Sequence, residues 1–318
     1  MSTQTPAENP RQAPAGAGTT ESFSPRYVGI DAWPAEALFA AMIEGQYAAV
    51  GAVQAALPAL AAAAGAAAER LRGGGRLVYA GAGTSARIAV QDGTELVPTF
   101  DWPADRLAFL IAGGPPALLR SVEGAEDDEG EAEAAFAAHG LGAADVVVSV
   151  AASGGTRYTR RVQALARAAG ALTIGMANNP AAPLLAEAEH AILMPTGAEV
   201  VAGSTRMKAG TAQKIALNLF STAVMVRLGR VYDGLMVDVQ AINDKLVDRT
   251  RRMVRHLTGC DAAAAEAALE ACGGHVKTAV LVVRGLAPDA ARDALAAAGG
   301  DLRTALARLG LAIRQPGA

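Results

Sequence analysis

Two short glycine-rich segments carry hydroxyl groups at a spacing suited to holding an anion. In Tyr79-Ala-Gly-Ala-Gly-Thr-Ser-Ala-Arg87 an apolar run passes through a turn into a helical pattern. The backbone N–H groups of Gly83, Thr84 and Ser85, with two hydroxyls, are left facing whatever sits at the turn. Alone, this segment divides evenly between a phosphate loop and a plain tight turn. A dinucleotide fingerprint fits it less well, because Ala86 stands where a third glycine belongs and no acid ends the next apolar run. The second segment, Ala151-Ala-Ser-Gly-Gly-Thr156, also follows an apolar run. Gly154 and Gly155 let the backbone approach a ligand closely, and Ser153 and Thr156 can donate to phosphate oxygens. A neutral hydroxyl cradle of this kind suits a sugar monophosphate better than a triphosphate, which calls for a Gly-Lys-[Ser/Thr] sequence that neither segment has.

The elements that must position these turns are legible from hydrophobic runs. Leu77–Ala80, Leu107–Ile111, Val146–Val150, Leu172–Met176 and Ala191–Met194 are short and nearly continuously apolar, as strands covered on both faces are. The stretches between them are long enough for crossover helices, which predicts an α/β doubly wound parallel sheet of about five strands. Helical patterns over Pro34–Gln54 and Leu57–Leu71 precede it, and a long helix is expected from Ser204 or Thr205 to about Leu228. Past Thr258, the segments Asp261–Ala271, Val276–Leu286, Pro288–Ala298 and Asp301–Leu309 read as short helices stopped by glycines. The expected organisation is a disordered tail over 1–23, an α/β domain carrying the two turns over 24–258 and a small helical module over 259–318.

The 318 residues suffice for one large or two modest domains. With 28 Lys+Arg against 31 Asp+Glu and no basic block, the chain is not expected to bind nucleic acid. Cys260 and Cys272 form neither a metal-ligand pair nor a disulfide framework and read as free thiols. A mean hydropathy of +0.24 reflects alanine rather than a membrane span: Ala55–Ala68 is mostly alanine and ends at Glu69-Arg70. The first 22 residues lack the basic start and apolar core of a secretory signal, so a cytoplasmic protein with no membrane partner is expected.

Taken together, GGGRLVYAGAGTSAR (73–87), Asp92…Glu95…Pro98-Thr99, IAGG (111–114), VEGAEDDEG (122–130), DVVVSVAASGGT (145–156) and GAEVVAGSTRMKAGTAQKIALN (197–218) make the chain resemble a known family. It is similar to the sugar isomerase (SIS) fold and, within it, to the N-acetylmuramic acid 6-phosphate etherases, from about Ile30 to Leu309. The likeness continues through LMVDV to Asn243 and Lys245. Generic SIS proteins share only the two phosphate loops, whereas VEGAED and the Gly197–Asn218 block are much more specific.

The resemblance implies cleavage of the lactyl ether of N-acetylmuramic acid 6-phosphate, giving N-acetylglucosamine 6-phosphate and D-lactate in cell-wall recycling. It implies no metal or redox cofactor, and it implies a homodimer, since SIS sites are commonly completed across an interface. An open-chain aldehyde acidifies the C2 proton, the C3 ether oxygen leaves as lactate, and water adds back. Such a reaction asks for a base at C2, an acid at the C3 oxygen that later activates water, and a phosphate anchor. Carboxylates suit both proton transfers if burial or a neighbouring carboxylate moves one toward neutrality. Glu95 and Glu126 occupy the family's catalytic glutamate positions, Glu95 as main acid/base and Glu126 as its partner. Read alone, Glu95 is an exposed helix-end charge and Glu126 part of a solvated acidic run. Lys245 matches a family lysine placed to assist at the lactate carboxylate or the leaving oxygen; alone it reads as surface charge. The phosphate and sugar contacts expected are Gly83, Thr84, Ser85, Ser153, Gly154, Thr156, Glu199, Ser204 and Lys208. The last two, with Arg206, open the long helix, where an anion is stabilised by the helix N-terminus; a capped helix start is the plain alternative for Arg206.

The chain departs from the family pattern at Ala86, at Leu96-Val97, at Gly155 and Arg157, and at Glu44-Gly45-Gln46. All are expected near the pocket or its rim, which opens the identity of the C2 or C3 substituent. Two rival readings follow: a non-catalytic sugar-phosphate sensor like the glucokinase regulatory proteins, and an aldose–ketose isomerase or related lyase. The sensors carry two SIS domains where this chain has room for one, and isomerase chemistry does not explain the VEGAED and GSTRMKAGT blocks.

Overall fold

The computed structural model describes residues 19–239 and 243–311. Most of the expected tail, residues 1–18, lies outside the described residues, and Thr19–Glu21 forms a 3-10 turn. The chain divides into two compact units, Met1–Gly93 with Asp105–Phe220, and Thr94–Ala104 with Ser221–Ala318. The expected boundary at 258/259 falls inside the second.

The first unit starts with helices α1 (Ala35–Ala55) and α2 (Leu57–Arg72), then strand β1 (Leu77–Gly81) and helix α3 (Gly83–Thr94). Helix α4 (Leu96–Phe100) follows in the second unit. The chain returns through β2 (Leu107–Ile111), α5 (Glu129–His139), β3 (Val146–Val150), α6 (Arg157–Ala168), β4 (Leu172–Ala177), α7 (Pro183–Glu187), β5 (His190–Leu193) and α8 (Lys208–Arg227). The five expected runs are all strands, and they pair in parallel in the order β2-β1-β3-β4-β5. Every residue of β1 and β3 is buried, which is why their sequences carry no polar alternation. On one face Val78, Leu110, Val147, Tyr158 and Val162 form a core under α5 and α6.

At the amino ends of the strands, Arg76 closes a fork on Asp145. Its Nη2 and Nε donate to the carboxylate at 2.8 and 3.1 Å, and its backbone N–H donates at 2.9 Å. At the carboxyl ends, β1 leads to one edge and β3 to the other, so the crevice between them is where the strand order reverses. Such switch points are where open α/β sheets bind ligands.

The second unit closes on its own core. After the short hairpin β6 (Val231–Tyr232) and β7 (Leu235–Met236) come α9 (Asp244–Thr258), α10 (Ala262–Ala271), α11 (Val276–Val283), α12 (Pro288–Ala297) and α13 (Leu302–Arg308). The four helices expected after Thr258 are α10 to α13, and they share with Met253, Val254 and Leu257 of α9 a core around Val280, Leu281, Leu302 and Leu306. Asn243, Asp261 and Asp301 cap α9, α10 and α13, each side chain accepting a backbone N–H. Within this core Lys277 Nζ donates to Asp238 Oδ2 at 2.6 Å and to the Gly300 carbonyl at 2.7 Å.

No single helix among the described residues is long and apolar enough to cross a membrane. The pair α1 and α2 passes on length and composition together but is bent by 56°.

Candidate active site

The two hydroxyl-bearing turns leave neighbouring strands at the same level, because Gly81 faces Val150 in the β1–β3 register. The first turn runs straight into α3, so Gly83, Thr84 and Ser85 stand at its N-terminus, where free N–H groups attract an anion. Thr84 is half-buried and Ser85 buried. In the second turn Gly154 has φ +69°, and a Cβ on it would lie 2.2 Å from the Ala182 Cβ, so the turn closes only on glycine. Its carbonyl accepts from Leu184 N–H at 3.1 Å, which ties the loop to the start of α7. Ser153 Oγ accepts from Gly155 N–H at 3.2 Å. Thr156 is the N-cap of α6, yet its side chain makes no capping hydrogen bond.

A cavity of about 330 Å³ opens beside the first turn. Gly83 and Thr84 line one side, and the segment after β2, through Arg120, Ser121 and Glu126, lines the other. The first unit thus brings an expected phosphate loop and one expected glutamate into one cavity. Glu126 lies in a 3-10 turn, Ala125–Asp127, with its side chain exposed. The turn is held from behind: Asp128 caps α5 by accepting from Glu131 N–H at 2.9 Å, and Glu131 accepts from Gly113 N–H at 3.0 and 3.1 Å. The carboxylate of Asp92 is buried between the Tyr79 hydroxyl, which donates at 2.8 Å, and Asn218 Nδ2, which donates at 2.6 Å. This fixes the last turns of α3 against the sheet. Burial, with the Asp92 charge beside it, pushes the Tyr79 hydroxyl well above its ordinary value, so it stays a proton donor.

The start of α8 differs from expectation. The helix begins at Lys208, not Ser204 or Thr205, because the buried Glu199 carboxylate accepts the N–H groups of Lys208 at 3.2 Å and Ala209 at 2.9 Å. The anion at this helix start is therefore the chain's own. Burial raises the Glu199 carboxyl above its ordinary value, against those two N–H groups and the Lys208 charge. Ser204 and Arg206 precede the helix, Arg206 in a turn, and Lys208 is buried.

Glu95 and Lys245 belong to the second unit. Glu95 is exposed at the N-cap of α4, which Arg230 supports from beyond its end by donating to the carbonyls of Phe100 and Asp101 at 2.9 and 2.7 Å. Lys245 is exposed in the first turn of α9. Among the described residues no cluster of three His, Cys, Asp or Glu side chains is placed to hold a metal ion.

The departures from the family pattern are not among the residues that line the cavity beside the first turn. Ala86 and Leu96 are 2% exposed and serve packing, and none of Ala86, Leu96, Val97, Gly155 and Arg157 lines it. Arg157 Nε instead pairs with Glu129 at 3.0 Å, and Glu44 pairs with Arg26 at 2.8 Å. Arg120 and Ser121, which do line the cavity, escaped the sequence reading. They sit in an irregular loop with neither periodicity nor glycine pattern, and only their place just before VEGAED marks them.

Residues 59–165 match the family described as the glucokinase regulatory protein N-terminal SIS domain, and residues 129–223 match the SIS domain. The N-acetylmuramic acid 6-phosphate etherase of Deinococcus radiodurans is 56% identical over 83% of this chain and 87% of its own length. Those of Streptomyces avermitilis and Erwinia tasmaniensis are 48% and 51% identical, over 86% and 73% of this chain and 89% and 76% of theirs. A solved phosphoheptose isomerase from Francisella tularensis aligns with TM-score 0.44 at 18% identity, over 60% of this chain and 95% of its own.

Proposed function

The chain belongs to the N-acetylmuramic acid 6-phosphate etherase family, and we propose that it cleaves the D-lactyl ether of that sugar phosphate, releasing D-lactate and N-acetylglucosamine 6-phosphate. The observation that carries the chemistry is the cavity whose walls are Gly83 and Thr84 on one side and Glu126 on the other. A phosphate seated on the α3 N-terminus leaves the sugar chain extending along the cavity toward Glu126, while Ser153 and Thr156 stand on the neighbouring turn, outside the residues that line the cavity.

In the open-chain form the C1 aldehyde acidifies the C2 proton. A carboxylate takes that proton, and the electron pair forms the C2–C3 double bond as the C3–oxygen bond breaks. Lactate departs with the ether oxygen, protonated by the acid. Water then adds at C3, losing a proton to the same group, and C2 regains one, so the sum is one ether and one water consumed. We assign Glu95 as the main acid/base, Glu126 as its partner and Lys245 to the departing lactate; the family positions support these roles. Glu199 is given a positioning role through α8. Glucokinase-regulator-like sensing is disfavoured by relatives that match most of the chain and are etherases.

The working form proposed is a cytoplasmic homodimer. Phe39, Ile43, Tyr47 and Val50 make an exposed apolar stripe along α1, with Phe23, Val28 and Val201 also exposed in the same unit. Such a surface favours burial against a second copy. The exposure of Glu126 supports it too, since the desolvation its role asks for is not supplied within its own unit. The direct test of the function is D-lactate release from N-acetylmuramic acid 6-phosphate by the purified protein, which a sensor would bind without product.

A further inference from the structure

We propose that Arg120 contacts the carboxylate of the lactyl substituent and thereby selects a lactyl ether over an unsubstituted sugar phosphate. The inference rests on the etherase reading and adds a specificity residue to it. Among the described residues, two cationic side chains, Arg87 and Arg120, line the cavity that holds Thr84 and Glu126. Arg87 is committed to the wall: its Nε donates to the carbonyls of Ala117 and Leu118 at 3.1 and 3.2 Å, and its Nη2 to Ala117 at 2.9 Å. Arg120 is different. Its backbone N–H is anchored on the Pro116 carbonyl at 3.2 Å, while its exposed guanidinium makes no hydrogen bond or ion pair among the described residues.

The substrate's chemistry calls for such a group. A lactyl ether bears its carboxylate on the carbon bonded to the ether oxygen, so any acid working at that oxygen has a second anion beside it. A wall presenting Glu123 and Glu126 repels that anion unless a cation intervenes. Arg120 precedes them in the same wall and offers the planar pair of donors that matches a carboxylate, with the Ser121 hydroxyl alongside. The phosphate is left to the hydroxyls and N–H groups of the turns. N-acetylglucosamine 6-phosphate keeps that phosphate and lacks the lactyl carboxylate, so it separates the two contacts.

The experiment compares wild type, Arg120→Ala, Arg120→Lys and Lys245→Ala. It reads KM and kcat for D-lactate release from N-acetylmuramic acid 6-phosphate, and the Kd of N-acetylglucosamine 6-phosphate by calorimetry. Arg120→Ala is expected to raise KM roughly 10- to 100-fold, the cost of one charge-assisted contact. The Kd of the lactyl-free sugar should stay within about twofold, which also shows the variant folded, and Arg120→Lys should recover part of the KM. Equal weakening of both ligands would make Arg120 a phosphate or structural residue and overturn the proposal, as would an unchanged KM. A selective KM loss confined to Lys245→Ala would move the carboxylate contact there and overturn it as well. Wild-type protein that binds the lactyl-free sugar but releases no lactate would instead sink the etherase reading on which the proposal stands.

Discussion

Gly81 and Val150 stand opposite each other at the ends of two neighbouring parallel strands, and the glycine-rich turns that follow them open side by side. That single register position brings two weak sequence motifs to the point where the strand order reverses, the place where open α/β sheets bind ligands.

The second turn should be intolerant of any side chain at Gly154. An added Cβ collides with the Ala182 Cβ, and φ +69° is strained for alanine. Gly154→Ala is expected to cost about 1–3 kcal/mol in urea unfolding and to weaken sugar-phosphate binding. Gly155→Ala should do neither, having only the Ser153 Oγ at 3.8 Å from its Cβ position.

The Arg76–Asp145 fork gives the first unit a defined acid sensitivity. Burial alone would raise the Asp145 carboxyl, but hydrogen bonds from the Arg76 side chain, Gly142 N–H and Arg76 N–H, together with the Arg76 charge, outweigh it and hold it below its ordinary 3.8. A carboxyl lowered on folding adds stability above its unfolded value, and that stability is lost as pH falls through the folded one. Arg76→Ala should therefore destabilise by about 1–3 kcal/mol at neutral pH, with the difference from wild type shrinking below pH 3.8 in urea titrations.

In the second unit the Lys277–Asp238 pair is buried, with Arg230 Nε 3.5 Å from the same carboxylate. Removing Lys277 takes away the nearer of the carboxylate's two cationic partners. Lys277→Ala is expected to cost about 2–4 kcal/mol by chemical denaturation, and Lys277→Met with Asp238→Asn markedly less. Equal losses in the two would show that packing, not charge, governs the position.

Much of this molecule was legible before its coordinates. The five strands announced themselves because sheets covered on both faces need continuous apolar runs, and α10 to α13 because glycines stop them. The start of α8 was not, because Glu199 lies outside the helix and reaches it only through the fold. Arg120 stayed hidden for a similar reason: a loop residue gains a function from the wall it joins, and no spacing encodes that. Glu126 is singled out only by family resemblance, since its acidic surroundings alone resemble any solvated turn.

The α1 stripe yields a prediction about assembly. Tyr47, 72% exposed, lies one turn from Ile43 and should sit inside a dimer interface. Tyr47→Glu is expected to shift sedimentation from dimer to monomer and to lower activity. A wild-type monomer at working concentrations would remove the interface from the account.

The most direct test of the central claim follows the atoms. N-acetylmuramic acid 6-phosphate is turned over in deuterium oxide and, separately, in heavy-oxygen water, with wild type, Glu95→Gln and Glu126→Gln, and both products are weighed by mass spectrometry. Elimination and re-addition predicts deuterium at C2 and solvent oxygen at C3 of N-acetylglucosamine 6-phosphate, unlabelled D-lactate, and turnover reduced on the order of 100- to 10,000-fold in Glu95→Gln. Solvent oxygen in the lactate, a C2 that keeps its original hydrogen, or a Glu95→Gln protein as fast as wild type would contradict it.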